Sequence, residues 1–267
     1  MAGEGRARGA SPSMRLPTSD RTATMGRMRP VLAVSDVHLG RATRERSAAF
    51  RAFLSYAREA ASGLLLAGDI FDFYFEWRSV VMAEHVRVLA ALADVVEAGV
   101  PVWFLGGNHD SWVGPVLCRD VGLRCLPEPA RLVLAGRRCL AVHGDGLDPG
   151  DRGYRLLRRL LRHPWAAAGY RWLHPDLGVA IARRVSTTET KVGRPPRAGQ
   201  VAAVRAWARA QLEADPTLEI VLAGHVHQAV VEEVAPGRYY VNAGDWLTRQ
   251  PYVAIGPEGP PRLCEWL

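Results

Sequence analysis

Long apolar runs and cysteine are what this sequence has little of. No hydrophobic stretch reaches the roughly 18 to 20 residues that a membrane-spanning helix needs, so we expect no segment to cross a bilayer. The four cysteines show no C-x-x-C spacing and are not grouped with the histidines. Their pattern argues against a zinc knuckle and a disulfide framework, and it favours a reducing compartment such as the cytosol.

The remaining composition is that of an ordinary globular protein. Hydrophobic residues make up 48% of the 267 positions and charged residues 23%, which excludes a disordered, fibrous or coiled-coil chain. The length suits one large α/β domain with an insertion. The net charge of +7 is unevenly placed, because residues 1–29 contribute +4 and residues 147–199 contribute +7. An anionic partner is therefore expected at the second of these stretches.

The order of apolar and polar segments predicts the domain organisation. Residues 1–28 are small, polar and rich in arginine, which predicts a disordered extension ahead of a folded domain over 29–267. Short apolar runs at 31–34, 64–67, 102–105 and 219–223 predict buried strands, with helices near 44–61, 79–98 and 200–213. A hairpin is predicted at about 131–135 and 138–143. Four further strands, at about 229–234, 238–243, 251–255 and 262–266, are expected to form a second sheet.

Five of the apolar runs end in loops that carry potential metal ligands. These are Asp36 with His38, Asp69, Asn108 with His109, His143, and His225 with His227. Helix capping or a buried, hydrogen-bonded histidine explains any one of them, but not five in succession. Because ligands bind at the carboxyl ends of strands in such sheets, we expect these side chains to converge.

The seven candidate ligands supply oxygen and imidazole donors and no thiolate. This mixture suits Mn²⁺, Fe²⁺ or Zn²⁺. Seven donors exceed what one tetrahedral ion takes, whereas two ions sharing a bridging carboxylate, roughly 3.5 to 4 Å apart, would use them all and hold an attacking oxygen in line with phosphorus. The ligand set is Asp36, His38, Asp69, Asn108, His143, His225 and His227.

The motifs Asp36-x-His38, Gly68-Asp69-x-x-Asp72, Gly107-Asn108-His109-Asp110, His143-Gly144-Asp145 and Gly224-His225-x-His227, in this order, resemble the calcineurin-like metallophosphoesterase family. The resemblance spans about residues 30–266. It implies an αββα sandwich of two mixed sheets. It also implies one ion held by Asp36, His38, Asp69 and His227, and a second held by Asp69, Asn108, His143 and His225, with Asp69 bridging.

The same resemblance assigns catalytic roles to two neighbours of the ligands. His109 matches the family position that contacts the scissile phosphate, where an imidazole is a suitable general acid. Asp110 is placed to orient the His109 ring, and Asn108 is also a candidate substrate contact. For Asp72 we favour a structural hydrogen bond to the loop around Asp69.

Residues 147–199 form a helical insertion that bears on the substrate. In the first predicted helix, 152–162, leucines and Tyr154 fall mainly on one side and arginines mostly on the other, a basic amphipathic pattern typical of membrane surfaces. Aromatic residues and a third helical piece follow. We expect these helices to enclose an apolar slot near His143, or to form a cap whose apolar faces pack internally.

This insertion, placed directly after His143-Gly144-Asp145, resembles that of the UDP-2,3-diacylglucosamine pyrophosphatases of lipid A biosynthesis. That resemblance implies Mn²⁺-dependent cleavage of a lipid-linked UDP-sugar to UMP and a diacylated sugar phosphate, by a cytoplasmic enzyme peripheral to the inner membrane. It makes Asp151, Ser186 and Lys191 candidate substrate contacts. The chain departs from the best-known form of that subfamily at one position. The residue after the ligand asparagine is arginine in that form and His109 in this chain.

Three alternatives remain open from the sequence. One is a soluble nucleotide or cyclic-nucleotide phosphodiesterase in which the insertion acts as a lid. Another is a nuclease, although the arginines of the insertion alternate with leucine and tryptophan and no long basic groove is evident, so no nucleic-acid partner is expected. The last is a scaffold with an inactive metal site, which the complete set of donors disfavours.

Overall fold

The computed structural model describes residues 29–40, 44–185 and 197–267. The strands are β1 (Val31–Val34), β2 (Gly63–Ala67), β3 (Val102–Leu105), β4 (Arg124–Leu126), β5 (Ala130–Leu134), β6 (Arg137–Ala141), β7 (Ile220–Ala223), β8 (Val230–Ala235), β9 (Arg238–Asn242), β10 (Pro251–Ile255) and β11 (Arg262–Glu265). The helices are α1 (Arg44–Ala60), α2 (Val86–Glu97), α3 (Arg152–Leu161), α4 (Pro164–Tyr170), α5 (Pro175–Val185) and α6 (Ala198–Ala214). The extension predicted over residues 1–28, Ser186 and Lys191 lie outside the described residues.

Both sheets are mixed. The first has the order β11-β10-β1-β2-β3-β4 and the second β5-β6-β7-β9-β8. Strands β1 to β4 run parallel in the first sheet, and β6, β7 and β9 run parallel in the second. The parallel strands of each sheet therefore deliver their carboxyl ends to one edge.

Alternate residues of the central strands build two different cores. Leu32 and Val34 of β1 pack with residues of α1 and α2, whereas Val31 and Ala33 pack against the second sheet. On the far side of the second sheet, Val221 packs against residues of α6. The layers therefore run helix, sheet, sheet, helix, and the αββα sandwich expected from the sequence is confirmed.

The expectation that the last four strands share the second sheet is wrong for two of them. β8 and β9 do join it, but β10 pairs antiparallel with β1, and β11 pairs with β10. Trp246, in the segment between β9 and β10, fixes the chain next to the first sheet. Its amide donates to Asp36 O at 3.0 Å, and its buried ring packs on Phe50 and Phe53. β10 therefore pairs with the edge of β1 that β2 leaves open.

The cysteine pattern also requires a correction. Cys118 and Cys125 form a disulfide with a Cα–Cα distance of 5.6 Å. The bond joins a π-helical turn at Val116–Asp120 to the short strand β4. The two residues are separated by 7 positions, and a separation of this kind does not by itself mark a disulfide pair.

Helices α3 to α5, here called the helical insertion (residues 152–185), lie between β6 and α6 and are tied to the body by two tryptophans. Trp112 Nε1 donates to Leu161 O at 2.7 Å, and Trp77 Nε1 donates to Leu173 O at 3.0 Å. An aromatic cluster that includes Phe75 and Tyr170 fills the space between them. Among the described residues, no helix is both long and apolar enough to span a membrane.

Candidate metal centre

The candidate ligands lie where the parallel strands of both sheets end. Asp36 is the second residue after β1, and His225 and His227 lie just after β7. The amide of Asp36 donates to Gly68 O at 3.0 Å, and that of Gly224 donates to His143 O at 2.8 Å. Across the two sheets, His225 N donates to Asp36 Oδ2 at 2.9 Å. Backbone hydrogen bonds thus bring the ligand loops together at one edge.

Most of these ligands share an uncommon backbone conformation. The φ angles are 53° at Asp36, 52° at His38, 53° at Asp69, 66° at His225 and 54° at His227. Left-handed backbone is uncommon for non-glycine residues and is concentrated at functional sites. The ligand loops therefore turn sharply just after the strands end.

Two glycines leave room for the ligands. A Cβ added at Gly107 would lie 2.2 Å from Asp69 Oδ1, and one added at Gly68 would lie 2.4 Å from His143 Nδ1. Gly68 also has a φ of +89°. Each of these positions is therefore glycine because a candidate ligand from another loop, Asp69 at Gly107 and His143 at Gly68, occupies the space that a side chain would need.

Asp36, His38 and His227 form one ligand cluster. His227 Nε2 lies 3.3 Å from Asp36 Oδ1, and 3.4 Å separates it from His38 Nε2. His38 Nε2 lies 4.0 Å from Asp69 Oδ2. Asp69 therefore borders this cluster.

Asp69, His143 and His225 form a second cluster on the other side of Asp69. His143 Nε2 lies 3.3 Å from Asp69 Oδ2 and 3.3 Å from Asn108 Oδ1. The opposite nitrogen, His143 Nδ1, donates to Ala67 O at 3.1 Å. That bond fixes the ring and leaves Nε2 directed at the other ligands.

The chemistry of this donor set fits divalent metal ions. Asp36 Oδ1 is buried and accepts no well-aligned hydrogen bond within the described part of the chain, although His227 Nε2 lies 3.3 Å away. Such an oxygen is costly to bury unless a cation pairs with it. Burial lowers the pKa of His38 to about 3 and that of His225 to about 4. Both imidazoles are therefore neutral near pH 7, the state in which histidine binds a metal.

A model of the Calcineurin-like phosphoesterase family matches residues 29–229. The chain belongs to this family. Three curated relatives are named UDP-2,3-diacylglucosamine hydrolase. That of Azotobacter vinelandii is 31% identical and the match covers 83% of this chain and 92% of that protein. The protein of Klebsiella pneumoniae is 29% identical, over 85% of this chain and 95% of that protein. The protein of Ectopseudomonas mendocina is 28% identical, over 81% of this chain and 90% of that protein. This chain is accordingly a metal-dependent phosphoester hydrolase.

Two hydrogen bonds fix His109 beside the candidate ligands. Its amide donates to Asp69 Oδ1 at 2.8 Å, and its Nδ1 donates to Asp72 O at 2.8 Å. Its Nε2 lies 3.9 Å from Asp69 Oδ2 and clusters with His38 and Asp69. A carbonyl only accepts hydrogen bonds, so Nδ1 carries a proton and Nε2 is the atom available for chemistry.

The expected role of Asp110 in orienting this ring is wrong. Its carboxylate accepts hydrogen bonds from the amides of Asp69 at 3.1 Å, Ile70 at 2.7 Å, Phe71 at 3.2 Å and Gly107 at 2.8 Å. Four amides occupy both oxygens, and Asp72 orients His109 instead. Asp110 therefore joins the loop that follows β2 to the loop that follows β3.

Asp151 begins helix α3. Its side chain accepts a hydrogen bond from Tyr154 N at 3.0 Å, the usual bond of an N-cap residue. Asp151 lines a small cleft that His225 and Tyr154 also border. It is therefore near the second ligand cluster, while the other two predicted substrate contacts, Ser186 and Lys191, lie outside the described residues.

Glu128 is a residue of this site that the sequence analysis missed. Its Oε1 accepts the amide of His143 at 2.6 Å, and its Oε2 accepts Nη2 of Arg158 at 2.7 Å and Nη1 of Arg162 at 2.6 Å. The arginines of the predicted helix 152–162 were expected mostly on the solvent side, yet Arg158 and Arg162 face the body. No signal along the chain links Glu128 to residues that follow it by 30 and 34 positions.

The leucines of α3 lie on an open surface. Leu157 is 48% exposed, Leu160 65% and Leu161 40%. They neither pack internally nor enclose the predicted slot, because the inward side of α3 is taken by Arg158 and Arg162 and their carboxylate partners.

Proposed function

We propose that this chain hydrolyses the pyrophosphate bond of UDP-2,3-diacylglucosamine and releases UMP and 2,3-diacylglucosamine 1-phosphate. Support comes from relatives named for this substrate, whose matches cover 81% to 85% of this chain and include the helical insertion. The observation that carries the proposal is an exposed apolar surface on an element docked at the metal centre.

That surface belongs to the helical insertion. Trp165 is 81% exposed and Trp172 90%, while Leu156 and Leu160 are 69% and 65% exposed. Contiguous patches of exposed apolar side chains usually mark an interaction site. Arginines on the same helices add attraction to anionic lipid. We propose that this surface receives the acyl chains and rests peripherally on the cytoplasmic face of the inner membrane.

Two divalent ions are proposed as the cofactor, with Mn²⁺ preferred and Fe²⁺ or Zn²⁺ as substitutes. Asp36, His38, Asp69 and His227 would hold one ion; Asp69, Asn108, His143 and His225 would hold the other. When bound, such ions neutralise phosphate charge and make water a stronger nucleophile.

The chain's own residues do the remaining work. His109 Nε2 is proposed to deliver a proton to the leaving phosphate oxygen, with Asp72 O holding the ring so that this nitrogen faces the centre. The side-chain amide of Asn108 is proposed to contact the phosphate. Asp151, Ser186 and Lys191 remain proposed contacts to the nucleotide or phosphate groups.

The test is an assay of the purified protein with UDP-2,3-diacylglucosamine in detergent. The protein is first treated with chelator and then given Mn²⁺, and UMP is measured. Appearance of UMP only after Mn²⁺ addition supports the proposal. Hydrolysis of a cyclic nucleotide or bis-p-nitrophenyl phosphate without any UMP from the lipid would replace it with the soluble phosphodiesterase.

A further inference from the structure

Two buried carboxylates join the helical insertion to the loop that carries His143. Glu128 and Asp145 are 9% and 0% exposed in their side chains. Asp145 Oδ2 accepts Nε of Arg158 at 2.7 Å, and its Oδ1 accepts Nη2 of Arg162 at 2.9 Å. Each carboxylate thus contacts both arginines, and the insertion cannot move without disturbing these four groups.

The network continues directly to the His143 backbone. Glu128 Oε1 accepts the amides of His143 at 2.6 Å and Gly144 at 3.3 Å, while its other oxygen holds the two arginines. One carboxylate therefore bonds a candidate ligand's backbone on one side and the insertion on the other.

Arg162 also touches the second ligand loop of the same ion. Its Nη2 lies 3.4 Å from Gly106 O and 3.5 Å from Gly107 O, the two carbonyls before Asn108. Asn108 and His143 belong to the same proposed ion. Within the described residues, Asp36, His38 and His227 make no hydrogen bond or ion pair with the insertion.

We infer that Glu128 and Arg162 are positioning residues that couple the helical insertion to one of the two ion sites, the site built on Asn108 and His143. This inference rests on the ligand sets proposed above. Contacts that orient ligands commonly change metal affinity 10- to 100-fold when lost, about the size expected here. Loss of Arg162 leaves two carboxylates, Glu128 and Asp145, to share the single charge of Arg158, so the His143 loop should loosen first.

The test compares Arg162→Met with Arg159→Met; Arg162 directly follows α3, and Arg159 is an exposed arginine within it. Amide hydrogen exchange in the metal-free proteins should show faster exchange at His143 and Gly144 in Arg162→Met only. Mn²⁺ titration by calorimetry should show one ion weakened roughly tenfold or more in that variant, the other unchanged, and wild-type behaviour in Arg159→Met.

Unchanged exchange at His143 and Gly144, or equal weakening of both ions, would overturn the inference. Glu128→Gln provides the same readouts if Arg162→Met does not fold, because glutamine retains an acceptor for the His143 amide but loses the charge that pairs with the arginines. We expect weakening of the same single ion. If the wild-type protein binds fewer than two ions, the proposed metal set fails, while the exchange measurement still decides the coupling.

Discussion

His109 and Asp72 are joined by a hydrogen bond of 2.8 Å from the imidazole Nδ1 to the backbone carbonyl of Asp72. The Asp72 amide in turn donates to Leu39 O at 2.6 Å, which ties this carbonyl to the loop of the first ligands. His109 is therefore held by backbone, and no side-chain change at Asp72 removes the acceptor. This hydrogen bond shows that Nδ1 carries a proton, whatever the protonation state of Nε2.

Replacing His109 with alanine should lower kcat by roughly a hundredfold or more, the usual size of lost acid catalysis or electrostatic help. Metal content, measured by inductively coupled plasma analysis, should stay at the wild-type level. The loss should be smaller on bis-p-nitrophenyl phosphate, since p-nitrophenolate leaves without needing a proton. Reduced metal content would identify His109 as a ligand.

Removal of Asp69 should affect both ions together. Its Oδ2 lies 3.3 Å from His143 Nε2 and 4.0 Å from His38 Nε2, so the carboxylate lies between the two clusters. Asp69→Ala is expected to abolish hydrolysis and to reduce bound metal at both positions. Wild-type turnover by this variant after chelation and Mn²⁺ re-addition would refute the bridging assignment.

Gly107→Ala should damage the site without replacing any candidate ligand. The added Cβ would lie 2.2 Å from Asp69 Oδ1, far below van der Waals contact, so Asp69 must shift. We expect weaker Mn²⁺ binding and a loss of activity of at least tenfold, because small displacements of reacting groups are costly. Gly199→Ala is the matched control: its Cβ meets nothing within 4 Å, and alanine favours the helix there.

Changing Leu161 and Trp165 together to serine should separate lipid binding from chemistry. Both side chains are exposed, at 40% and 81%, so the fold should survive. Because each buried CH₂ contributes roughly 0.8 kcal/mol, kcat/KM on the diacylated substrate should fall by orders of magnitude. Turnover of bis-p-nitrophenyl phosphate should hardly change.

Val133→Ser is the control for that double variant. Val133 is an exposed valine, 63% accessible, on β5 rather than on the insertion. It should leave both activities at the wild-type level. Equal losses on both substrates in the double variant, with circular dichroism unchanged, would mean that the insertion supports only the catalytic core.

The strand ends and the candidate ligands that converge there were predictable because the sequence marks them locally. Val31–Val34 and Ile220–Ala223 are fully apolar and buried strands, and each is followed within a few residues by polar side chains that a buried edge does not otherwise favour. The periodicity of α1 also predicted its buried positions, including Phe50 and Phe53. These features depend on residues adjacent in the chain.

What could not be predicted depends on distant pairs. The pairing of β10 with β1 joins Val31 to Ile255, and no pattern within either strand names its partner. The roles of Asp110 and Glu128 depend likewise on which amides and guanidinium groups fold next to them. Helix α3 shows the same limit, since amphipathicity alone does not say which of its arginines find carboxylates.

The hydrogen bond from His225 N to Asp36 Oδ2 joins residues separated by 189 positions and by the boundary between the sheets. Divalent ions bound at this boundary would stabilise the packing of the two sheets, because their ligands come from both sheets and come together only in the fully folded chain. Ligand occupancy and sheet packing are then thermodynamically linked. An ion present at 100 times its dissociation constant would add about 2.7 kcal/mol to the free energy of unfolding. Chelation should therefore lower the free energy of unfolding of the whole sandwich, and not only the local stability of the metal-binding edge.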